Sequence, residues 1–380
     1  MANTLTQLIP DLYQSLDIVS RELCGFIPSI TLDASAERAA LNQPIRIPLT
    51  PASQAEDVKP GQLPPDDGDQ DIGNVPLAIT KSRMVPFRWE GEQQKGIKSG
   101  PGYHGIRRDQ VTQAMRTLVN EIEADLGQLF RRASRAAGEA GKTPFKDSLT
   151  DTAQVRKILT DNGAPLSDLQ CVIDTTAGAA LRTMAQLTKA NEAGTTALRA
   201  QGTLLELHGF TLRESAGVAH NTGAKTEKLT VGGDLAVGET IIPLSKGADG
   251  KPDEVGNVSP GALVVLGKHK YVVAKTSAEG IHIFAPGLRE EVKAATKFDV
   301  ISEFTANFAF SRSALVLATR APALPEEGDM ADDRIMITDP RTNMSFEVSM
   351  YKQYRRVRYE IAAAWGCQNI KPEHSAVLLA

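Results

Sequence analysis

Cysteine is scarce in this chain of 380 residues. Cys24, Cys171 and Cys367 are too few and too far apart for a disulfide framework or a C-x-x-C metal pair, and a reducing compartment is the simpler expectation. Aromatic residues are only 5%, which argues against a surface built mainly on base or sugar stacking. There is no excess of charge: 42 basic against 46 acidic residues leave a net −4, not the profile of a strongly basic nucleic-acid binder. No apolar run approaches the roughly 18 residues of a membrane span. The longest, at 261–267 and 313–319, are strand-sized. The first basic residue is Arg21, so no charged segment precedes an apolar stretch and no secretory leader is expected. What is present is a 41% hydrophobic, 23% charged composition, enough to bury a substantial core. The length corresponds to about two or three domains.

The pattern of apolar residues supplies the elements. Leu8, Leu12, Leu16, Val19 and Leu23 step by three or four and form a helical stripe, closed by Gly25 and Pro28. One amphipathic terminal helix cannot bury its stripe alone and must dock on its own body or on a neighbour. Ile45, Ile47 and Leu49 alternate between prolines, which marks an edge strand. A second extended run covers 75–89. The 24 residues at 51–74 between them hold four prolines, six acidic residues, one lysine and no aromatic. Such a length is unusual for a compact loop, and it suggests a long two-stranded arm with an acidic tip. Val111, Met115, Leu118, Ile122, Leu126, Leu129, Ala133 and Ala136 predict one long helix over 109–137, capped by Asp109 and stopped at Gly138. At about 1.5 Å per residue it would span roughly 43 Å, the length of a spine.

From 150 to 218 helices at 153–160 and 178–187 alternate with strands at 169–174 and 204–214, the last broken at Gly209. Composition changes near Gly223. Six short strands are expected at 228–231, 239–244, 262–266, 270–275, 281–284 and 297–301, separated by Gly- and Pro-containing turns, the pattern of a small barrel. An inserted unit needs its two ends close together. The mixed pattern resumes after Ser302, with long strands at 334–338 and 344–359 joined through Asp339-Pro340. The fold class expected is α+β.

Motifs that could carry chemistry are few. Ala136-x-x-x-x-Gly141-Lys142-Thr143 matches a relaxed phosphate loop, which needs a strand before it and a helix directly after. A long helix is expected before it and Pro144 follows, so a helix-terminating loop is the preferred reading. A nucleotide-binding enzyme built on Gly141-Lys142-Thr143 stays as the alternative. Asp67-x-Asp69-x-Asp71 starts like a calcium loop, but Ile72 and Ala78 occupy the positions that require Gly and Glu. His104, His208, His220, His269, His282 and His374 form no H-x-x-x-H pair, and Cys171 reads as a buried small hydrophobe. Tyr351-Lys352-Gln353-Tyr354-Arg355-Arg356-Val357-Arg358-Tyr359 mixes cations and aromatics. It reads first as a charged strand paired with nearby carboxylates and second as a DNA-binding module. Arg131, Arg132 and Arg135 are expected to complement the helix dipole at the end of the spine.

The order of these parts, together with Ile361-Ala362-x-x-Trp365-Gly366-x-x-x-x-Lys371-Pro372-Glu373, Asn307-Phe308-Ala309-Phe310-Ser311-Arg312, Ala321-Pro322-Ala323-Leu324-Pro325 and Gly209-Phe210, resembles the Hong Kong 97-type major capsid fold of tailed phages. Within it the chain is similar to the phage P-twenty-two coat protein family of gene-five type, though with a shorter inserted segment and a Pro- and Asp-rich arm tip. The resemblance implies an N-terminal arm with an amphipathic helix at 1–40, an extended β-hairpin arm (E-loop) at 41–100, and the spine helix and P-domain at 101–150. It further implies an A-domain at 151–223, an inserted small β-barrel at 224–302, and return strands of the A- and P-domains at 303–380. The implied role is a structural, non-enzymatic one: self-assembly through pentamers and hexamers into an icosahedral shell around double-stranded DNA. The location would be the virion, after assembly in the bacterial host cytoplasm. Implied partners are other copies of the chain, scaffolding protein, portal, non-specifically held DNA and, on some shells, a decoration protein; no membrane, cofactor, metal or catalytic residue is implied. Arg46, Glu56, Asp57, Lys59, Asp66, Asp67, Asp69, Asp71, Arg355 and Arg356 are candidate inter-subunit contacts. Leu8, Leu12 and Leu16 are candidate scaffold contacts.

Overall fold

The computed structural model describes residues 24–49, 55, 57, 72–97, 103–146, 148–184, 187, 206–223, 226–245, 258–338 and 343–380. The stripe of Leu8, Leu12 and Leu16 lies outside them, as does most of the arm tip.

The elements, in chain order, begin with β1 (Thr31–Ala39), β2 (Pro44–Leu49), β3 (Gly73–Ala78), β4 (Lys81–Glu90), α1 (Gly91–Ile97), α2 (Tyr103–Gly127) and β5 (Arg135–Ala137). There follow α3 (Thr150–Asp161), β6 (Leu169–Ile173), α4 (Thr175–Thr183), β7 (Glu206–Leu207), β8 (Phe210–Glu214) and β9 (Ala219–Asn221). A cluster of short strands comes next: β10 (Thr226–Thr230), β11 (Ile241–Ile242), β12 (Leu263–Leu266), β13 (His269–Ser277), β14 (Gly280–Ile283) and β15 (Lys297–Ile301). The chain closes with β16 (Phe304–Ser311), β17 (Leu315–Pro322), β18 (Asp333–Thr338), β19 (Ser345–Gln353), β20 (Arg356–Asn369) and β21 (Ser375–Leu379). The result is a mixed α+β protein with few helices and much sheet.

Among the described residues the strands form three sheets. A six-stranded sheet runs β1-β17-β20-β19-β18, with β4 also paired to β20. A thirteen-stranded sheet runs β10-β15-β12-β13-β5-β21-β16-β6-β8-β7 along its main path. The third is β2-β3 alone, paired from Pro44↔Ala78 to Leu49↔Gly73. The main core packs one long face of α2, from Val111 through Met115, Leu118 and Ile122 to Leu126, against Phe304, Phe308, Phe346, Ile361 and Trp365 of the sheets. A second core lies under α3 and α4, around Leu159, Leu169, Leu181 and Phe210.

The strands between 226 and 301 enclose a core of their own, including Leu229, Val264, Val273, Ile281 and Phe298. Their pairings run β10-β15-β12-β13-β14-β11, and an antiparallel bridge from Val231 to Leu244 connects β11 back to the end of β10. The first and last strands pair at Thr226↔Val300. The same group is also stitched to the body, because β13 pairs with β5 at Lys270↔Ala136 and Tyr271↔Arg135.

Four expectations change. The spine helix starts at Tyr103 and ends at Gly127; it has 25 residues, or about 37 Å. Asp109 therefore lies inside it and is not its cap. A Cβ on Gly127 would overlap the carbonyl of Gly217, so the chain passes here with the one residue that fits, then tightens into a 3-10 turn at Gln128–Arg132. Leu129, Phe130, Ala133 and Ala136 are still buried, but by the turn and by β5. Arg131 and Arg132 fall in the last turn of that 3-10 extension, as expected of cations at the end of the spine, but Arg135 does not decorate a helix end: it is a buried strand residue between β13 and β21. The extended run at 75–89 divides at Ile79-Thr80, where the chain crosses from the arm to the six-stranded sheet. The expected strand at 344–359 folds back at Tyr354-Arg355, with Arg355 at φ 56°. Finally, a strand (β5), not a helix, precedes the Gly141-Lys142-Thr143 loop.

Candidate functional site

Three places concentrate polar or exposed side chains on elements that have to be held in position. The first is the joint between α2 and the six-stranded sheet. Trp365 of β20 is fully buried and its Nε1 donates to Asp125 Oδ2 on α2 at 2.9 Å. Lys81 of β4 donates to Asp125 Oδ1 at 2.8 Å and to Glu121 Oε1 at 3.1 Å, and Arg83 Nε reaches the same Glu121 oxygen at 3.1 Å. Burial pushes the Glu121 carboxyl up, but the bonds from Lys81 and Arg83 outweigh it and leave the group below its ordinary value. Burial likewise lowers Lys81, and Asp125 and Glu121 more than reverse this. Beside Trp365, Gly366 lies against the corner between β3 and β4: an added Cβ would overlap the Ala78 carbonyl oxygen and sit 2.9 Å from its carbon. Thr80 N donates to Trp365 O at 3.0 Å. The Trp-Gly step thus fixes the root of the arm to the spine.

The second is Glu123, 3% exposed on the opposite flank of α2. Its carboxyl accepts from Phe26 N at 2.7 Å, Ile27 N at 3.1 Å and Ser215 Oγ at 2.6 Å. Burial pushes it above the ordinary carboxylate value, outweighing the pull of these donors. It pins the start of the described chain and the loop after β8 to the helix. Sequence reasoning missed this residue, because Glu121, Glu123 and Asp125 look alike along one polar stretch.

The third is the β19–β20 turn. Tyr354 is 87% exposed and the Arg355 guanidinium lies 5.6 Å from its ring centre. Neighbouring cations are engaged within the chain. Lys352 faces Asp332 at 3.5 Å, Arg356 faces Glu90 at 3.0 Å and Arg358 faces Glu360 at 2.5 Å. Arg355 has no carboxylate partner among the described residues. The segment therefore follows the charged-strand reading at three of its cations, while Tyr354 and Arg355 stand out at the tip beside a hollow of about 770 Å³.

Of the other predicted residues, Arg46 is exposed on β2 and forms no ion pair among the described residues; it lies on a different sheet from Arg355 and Arg356. Asp57 is exposed. Glu56, Lys59, Asp66, Asp67, Asp69 and Asp71 lie outside the described residues, and with them the calcium-loop fragment. Lys142 pairs with Glu139, and the next helix starts only at Thr150, so the Gly141-Lys142-Thr143 loop does not sit on a helix N-terminus. Cys171 is buried and its thiol is pushed up to about 12 by burial. Among the described residues there is no group of three or more His, Cys, Asp or Glu arranged to hold a metal, and no helix long and apolar enough to cross a membrane.

No protein-family model matches the chain, and no curated protein matches it. Its fold is similar to solved bacteriophage capsid structures. A chain of the capsid of Cyanophage P-SCSP1u shares 10% identity over 93% of this chain and 86% of that one, with a TM-score of 0.49. A chain from Mycobacterium phage Che8 shares 13% over 89% and 84%, with a TM-score of 0.47. A virus-like particle from Pyrococcus furiosus shares 9% over 98% of each chain, with a TM-score of 0.43.

Proposed function

We propose that this chain is the major capsid protein of a tailed phage or prophage, with the Hong Kong 97-type architecture and the inserted barrel of the P-twenty-two coat family. It assembles through pentamers and hexamers into an icosahedral shell around double-stranded DNA. The observation that carries this reading is the β2–β3 hairpin. It is a two-stranded sheet of six residues per strand, rooted at Leu77 and Ile79, and among the described residues its strands pair only with each other. An isolated two-stranded hairpin is at best marginally stable in water. Ile45 and Ile47 pack on the small cluster of Leu77, Ile79 and Val316 yet stay half exposed, as does Leu49 further out, so a neighbouring copy is the natural source of the missing contact. An arm that gives and receives the same contact in every copy generates closed symmetric assemblies.

The inserted barrel is supported by the ring of pairings among β10 to β15 and by the adjacency of its ends at Thr226↔Val300. Tyr354 and Arg355 are of the residue types that dominate interface energetics, and they are presented at a turn braced by ion pairs. On this reading Arg46, Asp57, Arg355 and Arg356 contact neighbouring copies, as do the acidic residues of the arm tip, and Leu8, Leu12 and Leu16 contact scaffolding protein. Portal and non-specifically held DNA complete the partners, with a decoration protein on those shells that carry one. The location is the virion, after assembly in host cytoplasm.

The test is negative-stain imaging and size-exclusion chromatography of the purified chain with scaffold supplied. Wild type should yield shells, rings or polyheads. Tyr354→Ala/Arg355→Ala should keep its circular dichroism and lose closed particles. A chain that stays solitary at high concentration, or a double variant that closes normally, refutes the corresponding part.

A further inference from the structure

The wall formed by β5, the loop after it, α3 and the β12–β13 turn surrounds a hollow of about 680 Å³ with no part in the assembly reading. Among the described residues six cations line it: Arg135, Lys142, Lys146, Lys157, Lys268 and Lys270. Three acids share the wall and are already occupied. Glu139 pairs with Lys142, Glu290 faces His269 at 3.4 Å, and Asp151 accepts from Phe145 N at 3.1 Å. Lys157 is held by Asp161 at 3.2 Å, outside the lining. Lys146 and Lys268 are exposed and have no carboxylate partner among the described residues.

The deeper cations are destabilised chiefly by burial. Arg135 is 2% exposed; its Nη2 bonds Asn162 Oδ1 at 3.0 Å and lies 3.7 Å from Asp161 Oδ2, while its Nε has no hydrogen-bond partner among the described residues. Burial, then the nearby Arg289, lowers its basicity. Burial also lowers Lys270, and burial followed by Arg135 lowers His269. Charge of one sign gathered in a partly desolvated hollow is relieved by an anion, and buried Arg with surrounding Lys suits phosphate oxygens. The volume falls in the range of small-ligand sites, about 300–1,000 Å³.

We propose that this hollow binds adjacent phosphate groups, supplied either by a free polyphosphate or nucleoside triphosphate or by a nucleic-acid backbone. It is a binding site with no transfer step. It differs from a phosphate loop: Lys142 is engaged by Glu139, and the cations come from several elements instead of one glycine-rich turn.

The experiment is isothermal titration of the full chain with sodium tripolyphosphate at fixed ionic strength. Wild type should bind saturably. Lys146→Gln/Lys268→Gln, two exposed positions that should leave the fold intact, should bind at least about tenfold more weakly. Lys146→Arg/Lys268→Arg should restore binding. Absence of saturable binding in folded wild type, or equal affinity in the Gln variant, overturns the site. Competition with a short DNA duplex at matched phosphate concentration assigns the source: displacement points to a nucleic-acid backbone and no displacement to a free polyphosphate. Because particle formation is scored separately, failure here leaves the assembly reading standing.

Discussion

Substituting Gly366 by alanine tests whether the arm, the sheet and the spine are one mechanical unit. The new Cβ would overlap the Ala78 carbonyl oxygen and lie 2.9 Å from its carbon, against about 3.5–4.0 Å for an unstrained carbon pair. The atoms it meets are backbone, so no side chain can rotate away. Either β20 or the β3–β4 corner has to move. Yet β20 is fixed by ten paired positions to β4, and the corner is fixed by Asn42 N to Ile79 O at 2.8 Å and Thr80 N to Trp365 O at 3.0 Å. Overpacking of this kind costs about 1–3 kcal/mol, and the rigidity of both sides places Gly366→Ala near 3. Against a total stability of about 5–15 kcal/mol the chain should still fold. The assay is guanidinium denaturation followed by tryptophan fluorescence. The chain has two tryptophans, both bonded to the spine helix: Trp365 bonds Asp125 at this joint, and Trp89 bonds Gln110 at 2.8 Å at the other end of β4. Gly91→Ala is the control, because nothing lies within 4 Å of its added Cβ. A midpoint for Gly366→Ala indistinguishable from that of Gly91→Ala would refute the reasoning.

Two further outcomes are expected. Phe308 is fully buried in the main core on β16, and Phe308→Ala should cost about 3–5 kcal/mol in the same denaturation assay, with no change at neighbouring exposed positions. Glu123 has a folded-state value raised above 4.5, so the native state holds its proton more tightly than the unfolded chain. Its contribution to stability is therefore complete below 4.5 and is lost as pH rises through the raised native value. Glu121, lowered by its cations, acts in the opposite sense: its contribution is present above 4.5 and lost on acidification. Comparing the pH dependence of wild type with Glu123→Gln isolates the first effect, which should disappear in the variant; parallel profiles would count against it.

What could be read from the sequence was what depends on near neighbours. The strand at Lys297–Ile301, the helix within Thr150–Asp161 and the turn at His208-Gly209 follow from alternation, stripe and glycine. The end of the spine did not, because a 3-10 turn and a strand covered on both sides bury the same apolar positions as a continuing helix would. Gly127 sits where Gly217, ninety residues further on, passes too close for any Cβ, a contact no local pattern announces. The fold-back at Tyr354-Arg355 was hidden for a related reason: no glycine, proline or asparagine announces it. Of the candidate contacts, Arg355 lay in a segment that composition flagged. The Lys81, Glu121, Asp125 and Trp365 joint unites three distant stretches, and no local pattern joins them.

Strand β20 is fourteen residues long and borders β4, β17 and β19. A load applied at the hairpin reaches Trp365 through the hydrogen bond from Thr80 N, and reaches α2 through the Trp365 indole together with Lys81 and Arg83. Tension on the hairpin would therefore be shared along a single continuous girder instead of being absorbed at a loop, and a bend at the root of the hairpin has to register at α2.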